Sequence, residues 1–134
     1  MGIAESELLL QHAGARHFII PNLFNLGLLP AAAGHVKFAE AASAATNKYL
    51  DEFLAVEELI EGIRIYRMDV FNLFSAIGTD PAHFGFTDIT DPCVTTSVCA
   101  DPDHTLFWDV HHPTEFGHAF FAVTLENVLA PKRK

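Results

Sequence analysis

The clearest hydrophobic pattern in the chain runs between positions 38 and 60. Phe38, Ala42, Ala45, Tyr49, Phe53, Val56 and Ile60 recur there at steps of three and four. This spacing draws one apolar stripe along a long helix, with Glu40, Lys48, Asp51, Glu52 and Glu58 mostly off it. The stripe is expected to face a core, and Gly62 is expected to end the helix. Before it, His17-Phe18-Ile19-Ile20 is a short run rich in β-formers, stopped by Pro21, and reads as a buried strand. After it, Ile63-Arg64-Ile65-Tyr66-Arg67-Met68 alternates and reads as a second strand ending at Asp69. Ala4 to Ala13 reads as the end of a helix with Gly14 as its C-terminal cap.

The remaining pattern is less regular. Pro21 to Gly34 reads as a loop with turns, and Val70 to Ile77 as a short helix. Thr79 to Thr105, with Pro81, Pro92 and Pro102, is expected to be a long loop, and long loops in compact domains are often functional. The apolar run Leu106-Phe107-Trp108 ends at Asp109 and reads as a buried strand. Thr114 is placed as the cap of a last helix, preceded by Pro113 and followed by Glu115. Phe116, Ala119, Phe120, Val123, Leu125 and Val128 are expected to form its buried face.

Alternation of helices and strands predicts an α/β fold with a parallel sheet. Two clear strands cannot cover the apolar faces of three helices, because parallel sheets are normally buried on both sides and have more strands. Residues 1–134 are therefore expected to be the second half of a larger domain. An exposed sheet edge would make self-association the alternative to a missing first half.

Composition narrows the partners. With half its residues apolar and 19% charged, the chain is expected to pack a core rather than stay disordered. The formal net charge of −9 argues against nucleic acid, which needs clustered Lys and Arg. The one basic cluster, Lys132-Arg133-Lys134, reads as a solvated tail. No apolar run approaches the ~20 residues of a membrane span, so no transmembrane segment is expected. Leu8-Leu9-Leu10 is too short for a signal-peptide core, and Met1-Gly2 with Ser6 is a weak match to an N-myristoylation pattern. Cys93 and Cys99 are either a short disulfide loop or two free buried thiols. A disulfide would point to an oxidising compartment, secreted or periplasmic.

The chemistry concentrates at Asp109 and His112. A carboxylate three residues before a histidine can reach Nδ1 across a tight turn, fix the tautomer and leave the other ring nitrogen to deprotonate a hydroxyl. A purely structural Asp-His hydrogen bond is the competing reading. His104, His111, His112 and His118 also raise a metal reading, but His111 and His112 are adjacent and no pair has the one-turn spacing of a helical zinc motif. No metal site is expected. Ser6, Ser43, Ser75 and Ser97 are the serines available as nucleophiles, and none sits in a Gly-rich strand-to-helix turn.

Trp108-Asp109-Val110-His111-His112-Pro113-Thr114-Glu115 resembles the last sequence block of the GDSL-type esterases and lipases, also called SGNH hydrolases, which has the form Asp-x-x-His-Pro-Thr. Three further stretches match in order. Gly14-Ala15-Arg16-His17-Phe18, Pro21-Asn22-Leu23 and Gly27-Leu28-Leu29-Pro30 resemble the strand and loop before the long helix. Met68-Asp69-Val70 resembles the end of the second strand. Phe84-Gly85-Phe86-Thr87, Asp91-Pro92-Cys93 and Cys99-Ala100-Asp101-Pro102 resemble the loop leading to the last block.

The resemblance implies the C-terminal part of a flavodoxin-like, three-layer α/β/α fold, incomplete in this chain. It implies hydrolysis of carboxylic esters, with a small ester or lipid as substrate, through an acyl-enzyme and with no cofactor. Asp109 would be the triad acid and His112 the general base. The Gly-Asp-Ser block that carries the family's nucleophile does not occur here. Asn22 and Asn25 lack the Gly-x-Asn-Asp context, so the oxyanion role is not carried over to them. A chain with His and Asp only would be nearly inert alone, and a catalytically inactive remnant acting as an oligomerising module is the alternative. Asn22, Phe24 and Phe107 are candidate pocket residues, with Phe84 and Phe86 as further apolar lining.

Overall fold

The computed structural model describes residues 2–130, so Met1 and Lys132-Arg133-Lys134 lie outside the described residues. Helix α1 (Ile3–His12) ends where Gly14, at φ 101°, turns the chain. Gly14 N–H donates to Gln11 O and Ala15 N–H to Leu10 O, the paired bonds by which a left-handed glycine closes a helix. Strand β1 (His17–Pro21) follows and pairs in parallel with β2 (Arg64–Met68), His17 opposite Arg64 and Pro21 opposite Met68. Phe18 and Ile20 point inward onto Leu54, while Ile19 between them faces out.

The crossover between these strands is helix α2 (Val36–Glu57), and its register differs from the expected one. Most of the predicted stripe faces solvent: Phe38 is 77% exposed and Tyr49 73%, and Val56 and Ile60 are exposed as well, while Phe53 is half-buried against Phe18, Ile20 and Leu54. Ser43, Asn47 and Leu54 are buried instead. The cause is the loop after β1, whose backbone polar groups must be satisfied. Asn47 Oδ1 accepts from Leu23 N (2.7 Å) and its Nδ2 donates to Leu23 O (2.7 Å). Ser43 Oγ accepts from Leu26 N (3.0 Å) and donates to Ala39 O (2.7 Å). The helix also stops at Glu57, with further turns before Gly62 (φ 82°) leads into β2.

Helix α3 (Val70–Thr79) starts at the cap Asp69, which accepts from Asn72 N. The expected loop from 79 to 105 contains pairing that the sequence did not suggest. Strand β3 (Asp88–Pro92) lies parallel to β4 (Thr105–Phe107), with an irregular register between Asp88 and Pro92. Asp88-Ile89-Thr90-Asp91-Pro92 has neither alternation nor β-rich composition, so only its partner strand makes it a strand. Four strands are thus present among the described residues, in two separate two-stranded parallel sheets.

Helix α4 (Glu115–Leu129) is capped by Thr114, whose Oγ1 accepts from Gly117 N (3.1 Å) and donates to Thr105 O (2.7 Å). Phe116, Phe120, Phe121 and Leu125 pack onto a core of Phe74, Ile77, Phe86, Leu106 and Phe107. Ala119 and Val123, expected inside, face out. Among the described residues the fold is α/β with short parallel sheets and four α-helices, consistent with part of a flavodoxin-like domain. No helix among the described residues is long and apolar enough to cross a membrane.

Candidate active site

Strand β4 delivers the chain into a tight loop. Trp108 N–H donates to His112 O (2.7 Å), Thr114 N–H donates to Leu106 O (2.9 Å), and Phe107 bridges Pro113. Inside this loop Asp109 Oδ1 accepts from the backbone N–H of His111 (2.8 Å) and of His112 (2.8 Å). His112 Nδ1 lies 2.9 Å from Asp109 Oδ2 and 3.0 Å from Oδ1. Local turn geometry therefore places the imidazole on the carboxylate.

The electrostatics follow from these bonds. The backbone N–H of His111, then the His112 ring and the His112 N–H, pull the Asp109 carboxyl down to about 2. At neutral pH it is ionised and can only accept. Nδ1 of His112 must then carry a proton, which leaves Nε2 as the acceptor whenever the ring is neutral. Nε2 makes no hydrogen bond among the described residues, and the His112 side chain is 72% exposed. The arrangement holds one oriented base at the surface, at the end of a strand.

Not every expected residue joins it. Asn22 is committed to the start of α3: its Oδ1 accepts from Val70 N (2.7 Å) and Phe71 N (2.8 Å), and its Nδ2 donates to Asp69 (3.0 Å). Phe24 is half-buried against Phe74, with ring centroids 5.1 Å apart. Phe107 is fully buried and cannot line an open pocket, because the short strand β4 is covered on both sides. Phe86 is likewise buried in the core, and Phe84 stacks edge-on against Phe120.

Of the serines, Ser43 is buried and held by backbone, and Ser75 Oγ accepts from Asn25 Nδ2. No serine hydrogen-bonds His112 among the described residues.

The histidines do not gather. His118 Nδ1 is bonded to Thr114 O (2.9 Å), and no three His, Cys, Asp or Glu converge among the described residues. The sequence reading missed a second pair. His104 Nδ1 lies 2.8 Å from Asp101 Oδ1, a bond that raises the pKa of His104. The signal was available, since Asp101 and His104 repeat the spacing of Asp109 and His112.

The loop is braced from the side. Cys93 and Cys99 are joined by a disulfide. Cys93 N–H donates to Phe107 O (2.9 Å) and Val94 N–H to Trp108 O (2.8 Å), the two residues just before Asp109.

No family model matches the chain. GDSL esterase/lipase At5g63170 of Arabidopsis thaliana is 30% identical over 116 residues, which cover 79% of this chain and 34% of the plant protein. A second plant protein, GDSL esterase/lipase At1g73610, is 28% identical over 127 residues, 87% of this chain and 37% of its own length. The chain is a relative of the GDSL esterases/lipases. The thermolabile hemolysin of Vibrio parahaemolyticus is also similar, 25% identical over 89% of this chain and 33% of the hemolysin. The chain spans about a third of the length of the GDSL relatives it matches.

Proposed function

We propose that this chain is the C-terminal half of a GDSL-type hydrolase domain and supplies the acid and base of a Ser-His-Asp triad for carboxylic ester hydrolysis. One observation carries the reading: the Asp109 carboxyl lies 2.9 Å from Nδ1 of His112, whose side chain is 72% exposed. Such a base takes the proton of a serine hydroxyl as that oxygen attacks the ester carbonyl. It returns the proton to the departing alcohol, then activates the water that cleaves the acyl-enzyme. Asp109 stabilises the imidazolium formed at each step. The serine and the oxyanion donors belong to sequence outside these 134 residues in this reading.

The test is a polypeptide that joins these residues to a segment carrying a Gly-Asp-Ser block, assayed on short-chain nitrophenyl esters. His112→Ala should lower kcat by roughly six orders of magnitude. Near-full activity in that variant would remove the assignment.

A second reading is a catalytically inactive half-domain that acts by self-association. The exposed apolar side chains of α1 and α2 favour it. It predicts a defined oligomer by light scattering and no His112-dependent hydrolysis in any assembly.

A further inference from the structure

We infer that the loop after β1 and the first turns of α2 form a binding site for the acyl chain of the substrate. The inference rests on the Asp109–His112 reading. A shallow trough of about 460 Å³ lies there, lined by Leu26, Leu29, Ala31, His35, Phe38 and His111 among others. That volume falls in the ordinary range for small-ligand sites, ~300–1,000 Å³. The lining holds no Lys, Arg, Asp or Glu, so the portion of ligand it suits is neutral and apolar.

Its position points the same way. In open parallel sheets ligands bind beyond the carboxyl ends of strands, and this loop leaves the carboxyl end of β1. The trough also reaches the loop that carries the candidate base. His111, the neighbour of His112, is one of its walls, and Ala31 N–H donates to Val110 O (3.1 Å) inside the Asp109–His112 loop.

The floor is fixed rather than pliable. Two 3₁₀ turns, Leu26–Leu28 and Pro30–Ala32, form it. Asn25 Oδ1 accepts from Gly27 N (3.0 Å), and Ser43 Oγ holds Leu26 N. A Cβ on Gly27 would lie 2.9 Å from Val36 O, so the turn packs directly on α2. Phe38, at 77% exposed, stands on the rim and covers nothing in this chain. An acyl chain along the trough would give it a partner and bring the ester carbon toward His112.

The 134-residue chain can be titrated with methyl butanoate, methyl hexanoate and methyl octanoate, followed by methyl and aromatic NMR. Saturable binding is expected, with shifts at Leu26, Leu29, Ala31, Phe38 and His111. Affinity should rise with each methylene by up to about fourfold, as apolar burial requires. Phe38→Asp should weaken octanoate binding at least tenfold. Tyr49→Asp, the same charge change on an exposed aromatic farther along α2, should leave it unchanged. Absence of saturation, or equal weakening by Tyr49→Asp, would overturn the site and leave the dyad untouched. Conversely, ester hydrolysis insensitive to His112→Ala would remove the reaction while a positive titration still stood.

Discussion

At the scale of single residues, Asp109 does two jobs with one carboxylate. It satisfies two backbone N–H groups of its own loop and orients the His112 ring. Its depressed pKa makes the loop sensitive to acid in a defined direction. A carboxyl held below its unfolded value adds stability that is fully present above the ordinary aspartate range near 3.8. That stability is lost as pH falls through about 2. The NMR titration of the Asp109 carboxyl carbon should therefore have its midpoint near 2, and the His111 amide should follow it. Asp109→Asn should abolish that titration. In the active polypeptide it should cost about four orders of magnitude in kcat, because an amide can present its N–H to Nδ1 and hold the wrong tautomer. An aspartate midpoint near 3.8 would show that the loop is open in solution. This pair was legible in the sequence because its geometry is local, three residues across one turn. The burial of Phe107 was not, since it depends on strand β3 and helix α4, which are remote in sequence.

At the scale of elements, α2 shows how a periodic pattern can give the helix and miss its orientation. Six of the seven apolar positions at helical spacing did form a helix, with Ile60 beyond its end, but a neighbouring loop with unsatisfied backbone decided which side faces in. Asn47→Ala removes both bonds to Leu23 and leaves a half-buried N–H and C=O without their partner. It should cost about 2 kcal/mol in urea denaturation. Exposed Tyr49→Ala on the same helix should stay within about 0.5 kcal/mol. Equal costs would mean that the stripe, and not Asn47, is the buried side.

Strand β3 was invisible for a related reason: its strand character comes from hydrogen bonds to β4. The disulfide loop extends that pairing to Phe107 and Trp108, so it sets where the chain enters the Asp109 turn. Reduction, or Cys93→Ser with Cys99→Ser, should speed amide exchange at Val94 and Trp108. It should lower kcat of the active polypeptide more than it raises KM. An unchanged kcat would reduce the disulfide to a general staple.

At the scale of the whole molecule, the apolar surface is distributed the wrong way for a finished domain. Helix α1 buries Glu7, with both carboxyl oxygens unpartnered, and shows Leu8, Leu9 and Leu10 to solvent. Burial, and then the charge of Glu57, raise the pKa of Glu7, so this docking is costly near neutral pH. Helix α2 turns Tyr49 and Val56 outward, and Leu59 just past its end is exposed as well. Two sheets of two strands each cannot cover these helices on both sides, whereas a three-layer α/β/α domain would. The half-domain reading therefore makes a differential prediction. Tyr49→Glu with Val56→Glu should cost little in the isolated chain and shift it toward monomer in light scattering, since the substitutions only break up an exposed apolar stripe. In a polypeptide extended to the length of its relatives, the same pair should cost several kcal/mol, because covering the stripe would bury two unpaired carboxylates. Urea midpoints for the four proteins decide it. Equal, small costs in both contexts would mean that nothing covers α2, and the exposed stripe would then argue for self-association instead.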